Sequence, residues 1–309
     1  MIQTQTNFFM IKIVRKTAKT LLPRSTVHNI KRRQQENTFK QYMKEKLELN
    51  YRSAAPGAIP PKSLIAKTAA LNEAELEKQS NADVYLETGY YEVLRIFKIL
   101  DHFGINPRTI GSIYELGCGT ARLLRHFRCI EGVKLVGSDV NPEMIEWCQQ
   151  NLPDLEFYHN ELTPPLTFAE DESFDLMLAS SVFTHIPLDT QELWLTEMQR
   201  ILRPGGIFIC SVLGKFHTSV LLGDEEIEEL QNKGSYTLTT DDSQATYSTK
   251  VGGSAWDVIQ TRSEIIRVFG SYFQIVDYIP GVQDFLVLHK PDPQVPVVMN
   301  TVPFPAQKY

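Results

Sequence analysis

A short glycine-rich run is the feature of this sequence best suited to chemistry. Residues 113–121, IYELGCGTA, join a predicted strand, a turn and the start of a predicted helix. Glycines permit positive φ and let the backbone approach a ligand closely, and a helix N-terminus carries free amide groups. The run therefore predicts a site for a nucleotide-like cofactor.

Two residues bear on which ligand this site would take. In the dinucleotide fingerprint G-x-G-x-x-G, the third glycine allows close packing of helix on strand, and Arg122 stands there instead. Glu115, two residues before Gly117, suits a cationic ligand better than an anionic pyrophosphate. A dinucleotide-dependent oxidoreductase therefore remains an alternative that rests on a weakened motif.

Five motifs in order resemble those of class I S-adenosylmethionine-dependent methyltransferases, over about residues 85–290. They are Glu115–Ala121, Gly137–Pro142, Asn160–Leu162, Phe174–Ile186 and Leu202–Phe208. The resemblance implies S-adenosylmethionine as the cofactor and in-line methyl transfer that requires no metal. We expect O-methylation of a small molecule or a glycan, with a non-catalytic cofactor-binding scaffold as the second alternative.

The resemblance also implies roles for individual residues. Asp139, at the end of the second strand, would bind the ribose hydroxyls, although an aspartate there could also be a helix N-cap. Asn160 would face the adenine amino group. The expected cofactor-binding residues are Tyr85, Gly89, Glu115, Gly117, Cys118, Gly119, Asp139, Val140, Asn160, Glu161 and Ser180. Tyr85 and Gly89, one helical turn apart, would face the sulfonium, or tyrosines here could serve core packing.

Two histidines are candidates for the base that removes a proton from the acceptor. His185 follows the fourth predicted strand and His217 follows the fifth. Histidine titrates near neutral pH, so either could act as a general base. A packing histidine is the alternative for both.

Strand and helix patterns alternate through the middle of the chain, which predicts an α/β fold with a mostly parallel sheet. The predicted strands are Ser112–Leu116, Lys134–Ser138, Leu155–Tyr158, Phe174–Ala179, Ile207–Val212, Phe273–Ile279 and Asp284–His289. The last two need only a hairpin, so one of them must run antiparallel. We expect a Rossmann-like seven-stranded sheet with helices on both faces and an N-terminal helical arm.

Composition divides the chain into four zones. Residues 1–50 are a predicted arm, 51–70 a linker, 71–290 the methyltransferase domain and 291–309 a proline-rich tail. Within the domain, about 215–263 is expected to be a substrate-cap insertion. The four cysteines form no CxxC pair or zinc pattern, which favours a reducing, cytoplasmic setting.

Charge separates the arm from the rest of the chain. Residues 1–46 hold eleven Lys or Arg and two Glu, a net +9; since the whole chain carries −6, the remainder carries −15. Residues 8–33 form a basic amphipathic pattern, which predicts either peripheral membrane contact or docking on the enzyme or a partner. Nucleic acid is disfavoured because an acidic body repels phosphates. The acceptor and the oligomeric state stay open.

Overall fold

The chain forms an α/β domain around one large sheet. The computed structural model describes residues 37–38, 40–42, 44–45, 58–69, 81–239 and 256–294. The whole basic pattern at 8–33, the residues 240–255 of the predicted cap and the tail from 295 onward lie outside these ranges, so membrane contact stays a prediction. Within the described ranges, no helix has the length and apolar character needed to cross a bilayer.

Seven strands make the main sheet in the order β3-β2-β1-β4-β5-β9-β8. The main-sheet strands are β1 (Ser112–Leu116), β2 (Lys134–Asp139), β3 (Glu156–His159), β4 (Phe174–Ala179), β5 (Leu202–Val212), β8 (Gln274–Ile279) and β9 (Asp284–His289), and β6 (Ser235–Thr239) and β7 (Trp256–Gln260) form a separate hairpin. β9 runs in the opposite direction to the other six main-sheet strands, so its pairings with β5 and β8 are antiparallel. The expected seven-stranded, mostly parallel sheet is confirmed.

Helices cover both faces of the sheet. They are α1 (Lys62–Ala69), α2 (Asn81–His102), α3 (Pro142–Asn151), α4 (Leu188–Ile201), α5 (Lys215–Leu221), α6 (Asp224–Lys233) and α7 (Arg262–Gly270). One core joins α2 and α3 to the sheet through residues such as Phe97 and Cys148. The other joins α4 and α7 through Trp194 and Phe269. Burial of apolar surface on each face stabilises the three-layer arrangement.

The helix expected directly after the glycine turn is shorter and differently wound. A 3-10 helix, Leu124–Cys129, replaces it. Ala121 has a φ of +56°, a left-handed conformation that an α-helix does not accept. The backbone therefore changes direction once more before the helical turn begins, and the expectation of a regular helix start was wrong.

Two segments ahead of the domain pack against α2. Helix α1 lies inside the stretch expected as a linker, where Ile65 and Tyr85 form a small buried cluster. Tyr42, in the helical stretch at 37–45, packs on the α2 core and donates a hydrogen bond to Asp101 at 3.0 Å. The described part of the arm is thus docked on the domain.

Candidate active site

The glycine turn follows β1 at the carboxyl edge of the parallel strands. Gly117 has a φ of +66°, and a Cβ there would lie 2.4 Å from Cγ2 of Val182. Gly119 also has positive φ, +53°. The turn thus needs glycine at 117 for both its conformation and the close approach of the β4 loop.

Asp139, the last residue of β2, is tied directly to that turn. Its Oδ2 accepts the Gly119 N–H at 2.8 Å and its Oδ1 accepts the Asn141 N–H at 2.8 Å. The N-cap of α3 is Asn141, whose Oδ1 accepts the Met144 N–H. The N-cap alternative for Asp139 is therefore wrong. Burial raises the pKa of Asp139, and the two backbone hydrogen bonds oppose that rise.

Each carboxylate oxygen of Asp139 keeps a further acceptor position after its one backbone bond. Two vicinal hydroxyls are a suitable donor pair for such a carboxylate. The expected ribose-binding role therefore fits the geometry, although the hydroxyls would have to meet a side chain that is only 7% exposed.

Asn160 lies beside Asp139, and its side-chain oxygen is available to a ligand. Its backbone N–H bonds the carbonyl of Asp139 at 3.2 Å, and its side-chain amide donates to the carbonyl of Glu161 at 2.8 Å. Its Oδ1 is buried and has no hydrogen-bond partner in the part of the chain that the structure describes. A buried acceptor of this kind needs a donor, and the adenine amino group of the expected cofactor is one.

Glu115 is buried at the end of β1 with a strongly perturbed acidity. Its Oε2 accepts the Leu124 N–H at 3.1 Å. Burial raises the pKa of Glu115 to about 8, against the lowering effect of Arg122 and of that backbone bond. A cationic ligand nearby would favour the ionised form.

The residues expected from α2 pack against the segment that follows the glycine turn. Tyr85 is buried and donates its hydroxyl hydrogen to the Thr120 carbonyl at 2.9 Å. Gly89 is needed for space, since a Cβ there would lie 2.8 Å from the Arg122 carbonyl. Both residues thus hold α2 close to the turn, and their contact with a sulfonium stays a prediction.

The remaining expected cofactor contacts follow the ends of successive parallel strands. They are Cys118 after β1, Val140 after β2, Glu161 after β3 and Ser180 after β4. Cys118 is buried, and its N–H bonds the Ser138 carbonyl at 2.9 Å. All four therefore line the same edge as Gly117 and Asp139, because parallel strands end on one side of a sheet.

His185 contacts an acidic residue of the cap hairpin. Its Nδ1 lies 3.1 Å from Oδ1 of Asp257, in β7. The backbone N–H of His185 also donates to the carbonyl of Val182, the residue that packs on Gly117. A carboxylate at Nδ1 fixes the tautomer with hydrogen on that atom, so the lone pair that can take a proton is on Nε2.

His217, at the start of α5, is close to the same acid. Burial lowers the pKa of His217, while the charges of Asp257 and Asp284 raise it. Its Nδ1 is buried without a hydrogen-bond partner among the described residues. The structure thus brings both candidate histidines near the same carboxylate, and among the described contacts His185 is the one within 4 Å of it.

A polar corner joins β4, β5 and β9 next to the expected contact Ser180. Ser181 has a φ of +59°, and its N–H bonds Ser211 Oγ at 2.7 Å. Both hydroxyls donate to Oε1 of Gln283, at 2.9 Å from Ser181 and 2.7 Å from Ser211. We call these three residues the serine corner.

Sequence reasoning missed Asp257 and Gln283. Asp257 stands in a predicted cap with no motif around it, and nothing in its spacing connects it to His185. The described residues contain no group of three or more His, Cys, Asp or Glu able to hold a metal ion.

Residues 114–210 match the family model described as a methyltransferase domain. A probable phthiotriol/phenolphthiotriol dimycocerosates methyltransferase 2 of Mycobacterium ulcerans is 35% identical over 102 residues, which is 31% of this chain and 37% of that protein. A malonyl-[acyl-carrier protein] O-methyltransferase of Hahella chejuensis is 32% identical over 108 residues, 33% of this chain and 36% of that protein. The chain thus spans little more than a third of the length of these two curated relatives.

Among solved structures, a putative S-adenosylmethionine dependent methyltransferase from Listeria monocytogenes covers 66% of this chain and 98% of its own, at 14% identity and a TM-score of 0.49. The motifs, the sheet order and the family match agree with one another. Residues 114–210 therefore carry a methyltransferase domain, and the motifs and sheet order around it resemble those of the class I S-adenosylmethionine-dependent methyltransferases.

Proposed function

We propose that this chain transfers the methyl group of S-adenosylmethionine to a hydroxyl oxygen of a small molecule or glycan, with His185 as the general base. The observation that carries the proposal is the 3.1 Å pair between His185 Nδ1 and Asp257 Oδ1, in the loop that packs on the glycine turn. One of the curated relatives is named as an O-methyltransferase, which supports oxygen as the acceptor atom.

The cofactor, when bound, supplies an electrophilic methyl group. The protein's part is to hold donor and acceptor in line and to remove the acceptor's proton. Asp139, Asn160 and the glycine turn would bind and orient the cofactor at the carboxyl edge of the sheet. His185 would take the proton on Nε2, and Asp257 would stabilise the imidazolium that results.

His217 suits the same task less well. Burial holds its pKa below the ordinary value for histidine, so it is a weaker base at neutral pH. We assign it to the wall of the acceptor site. The cap hairpin, which supplies Asp257, would close that wall.

The test is transfer of labelled methyl from S-adenosylmethionine into fractionated cell extract by wild type, His185→Asn and the matched control His102→Asn. His102 lies at the far end of α2. We expect His185→Asn to lower kcat by about 10²- to 10⁴-fold, with affinity for S-adenosylhomocysteine within twofold of wild type and full activity in the control.

Two results would contradict the proposal. Full activity in His185→Asn would remove the base assignment. Cofactor binding by the wild type without labelled product in any fraction would instead favour the non-catalytic scaffold. A larger thermal shift with NAD than with S-adenosylhomocysteine would favour the oxidoreductase alternative.

A further inference from the structure

Arg95, in the middle of α2, is a buried cation with little to balance it. Arg95 is 6% exposed, and its Nε and Nη2 atoms have no hydrogen-bond partner among the described residues. Its guanidinium carbon lies 3.8 Å from the centre of the Phe285 ring. Buried arginines are normally paired with carboxylates, because an uncompensated buried charge costs free energy.

The neighbour best placed to neutralise Arg95 does not do so. Glu92 lies one helical turn earlier, where side chains share a helix face. Its Oε2 is also buried without a hydrogen-bond partner in the described ranges. The two side chains are therefore neighbours whose buried polar atoms do not satisfy each other.

The guanidinium stands over the acceptor side of the sheet. Phe285 in β9 is directly opposite Ser211 in β5. Residues opposite each other in an antiparallel pair project from the same face. The face that carries Phe285 packs against α2, so Arg95 and the serine corner approach the same part of the sheet.

The same topology separates Arg95 from the cofactor turn. The sheet order β1-β4-β5-β9 places β9 three strands from β1, which carries Glu115 and leads to Gly117. At a strand spacing of about 4.8 Å, this is roughly 14 Å. Gly89, at the turn, and Arg95 lie on different sides of α2, because Gly89 approaches Arg122 whereas Arg95 approaches Phe285.

We propose that Arg95 binds an anionic group, a carboxylate or a phosphate, of the methyl acceptor. This inference rests on the proposed function and specifies its substrate class. Guanidinium groups bind both oxyanions through paired N–H donors. The acceptor would then supply the partner that the ligand-free protein lacks.

Arg95→Met is the main test, with Lys98→Met as the matched control on the same helix. Methionine keeps much of the length of arginine and removes the charge, and Lys98 is exposed. The probes are inorganic phosphate and acetate, added to the full chain saturated with S-adenosylhomocysteine, with sodium chloride at equal ionic strength as the salt reference.

We expect phosphate or acetate to raise the Tm of the wild type and of Lys98→Met above the chloride reference, and not that of Arg95→Met. Without ligand, Arg95→Met should unfold at a higher temperature than the wild type, because a buried charge without a partner has been removed. Affinity for S-adenosylhomocysteine should be unchanged.

Three results would overturn the inference. The first is a wild type that responds to the two anions no more than to chloride. The second is a lower Tm for Arg95→Met, which would make the guanidinium a packing group. The third is a tenfold or greater loss of S-adenosylhomocysteine affinity, which would assign Arg95 to the cofactor's own carboxylate. If Arg95→Met does not fold, Arg95→Lys should keep the fold and weaken phosphate binding at least fivefold, and unchanged binding would contradict the proposal.

The labelled product provides a separate check on the substrate class. An anionic acceptor that is methylated on a hydroxyl keeps its charge, so the product is retained on an anion-exchange resin. A neutral product would overturn the role of Arg95 and leave methyl transfer standing. Absence of any product would instead overturn the proposed function, whatever the result of phosphate binding.

Discussion

The two sides of the carboxyl edge treat their buried polar groups differently. In the cofactor region, formed by β1, β2, β3 and the turns after them, backbone amides meet the two key carboxylates: Gly119 and Asn141 bond Asp139, and Leu124 bonds Glu115. The acceptor region is formed by β4, β5, β9, the β6–β7 hairpin and the facing part of α2. Beside the bonded serine corner, several of its buried polar atoms lack partners among the described residues; they belong to Arg95, Thr184, His217 and Gln260.

The two regions therefore differ in how far their buried polar groups are bonded before a ligand is present. The cofactor region is preorganised by short-range backbone bonds, and one of its unpartnered buried atoms, Asn160 Oδ1, matches a donor on the expected ligand. Under the proposed function, the acceptor region keeps polar atoms that a bound acceptor would satisfy. A protein accepts such unsatisfied groups at a functional site because they are used when the ligand binds.

The largest effect that tests this contrast concerns Glu115. Its folded pKa of about 8 is above the ordinary glutamate value of 4.5, so the folded state holds the proton more tightly than the unfolded state. Stability from this group is full below pH 4.5 and is lost as the pH rises to about 8, by about 5 kcal/mol. Glu115→Gln should remove that loss, measured by urea unfolding at several pH values.

Glu225→Gln is the control for this measurement, because Glu225 is exposed at the start of α6. It should keep the wild-type pH dependence. If Glu115→Gln follows the wild-type curve as well, Glu115 is ionised in the ligand-free fold and the cofactor region holds a charge rather than a neutral acid.

A smaller but still large effect is expected at Gly117. Alanine there must adopt a φ of +66° and displace Val182, so affinity for S-adenosylhomocysteine should fall about 100-fold or more, measured by calorimetry. Gly104→Ala is the matched control, since Gly104 has a φ of +71° and nothing within 4 Å of an added Cβ. It should lose about 1 kcal/mol of stability and no affinity. Equal affinity losses in the two variants would refute a specific role for the turn.

Asp257→Asn should lower kcat about tenfold, because the asparagine can no longer stabilise a positively charged His185. The KM for the cofactor should stay the same, since Asp257 lies in the acceptor region. A change in KM alone would show that the carboxylate only supports the fold.

The smallest expected effect concerns two buried side chains, one whose polar atoms lack a hydrogen-bond partner among the described residues and one whose hydroxyl has a partner. Gln260 is 2% exposed and neither of its amide atoms has a partner among the described residues. Gln260→Met should therefore raise the free energy of unfolding by about 1 kcal/mol. Tyr114→Phe breaks the 2.7 Å bond between Tyr114 and Ser138 and should lower it by about the same amount. Two losses of equal size would remove the contrast between the regions.

The parts of this structure that sequence predicts best are those with short-range causes. The strands at Ser112–Leu116, Phe174–Ala179 and Asp284–His289 agree residue for residue with the expectation, because each is a short apolar run between turn signals. Asp139 joins the glycine turn from only twenty residues away. The pairs His185–Asp257 and Arg95–Phe285 join segments that no local pattern connects.

Proline was the misleading signal in front of the domain. Pro60 and Pro61 lie in the stretch 51–70 that is expected as a linker, yet proline is also suited to the first turn of a helix, and the Pro61 carbonyl accepts the N–H groups of Leu64 and Ile65 as α1 begins. The left-handed Ala121 was equally hidden, since alanine carries no turn signal and its conformation depends on the contacts around the glycine turn.

The position of β9 has a consequence for how the chain is completed during synthesis. β9 is the last strand of the sheet to leave the ribosome, yet it lies between β5 and β8 rather than at an edge. Until it arrives, the apolar strand β5 presents an unpaired edge, which is a template for association with other chains. We expect a chain stopped after residue 282 to retain the strands of the cofactor region and to aggregate through β5, whereas the chain extended through β9 stays dispersed.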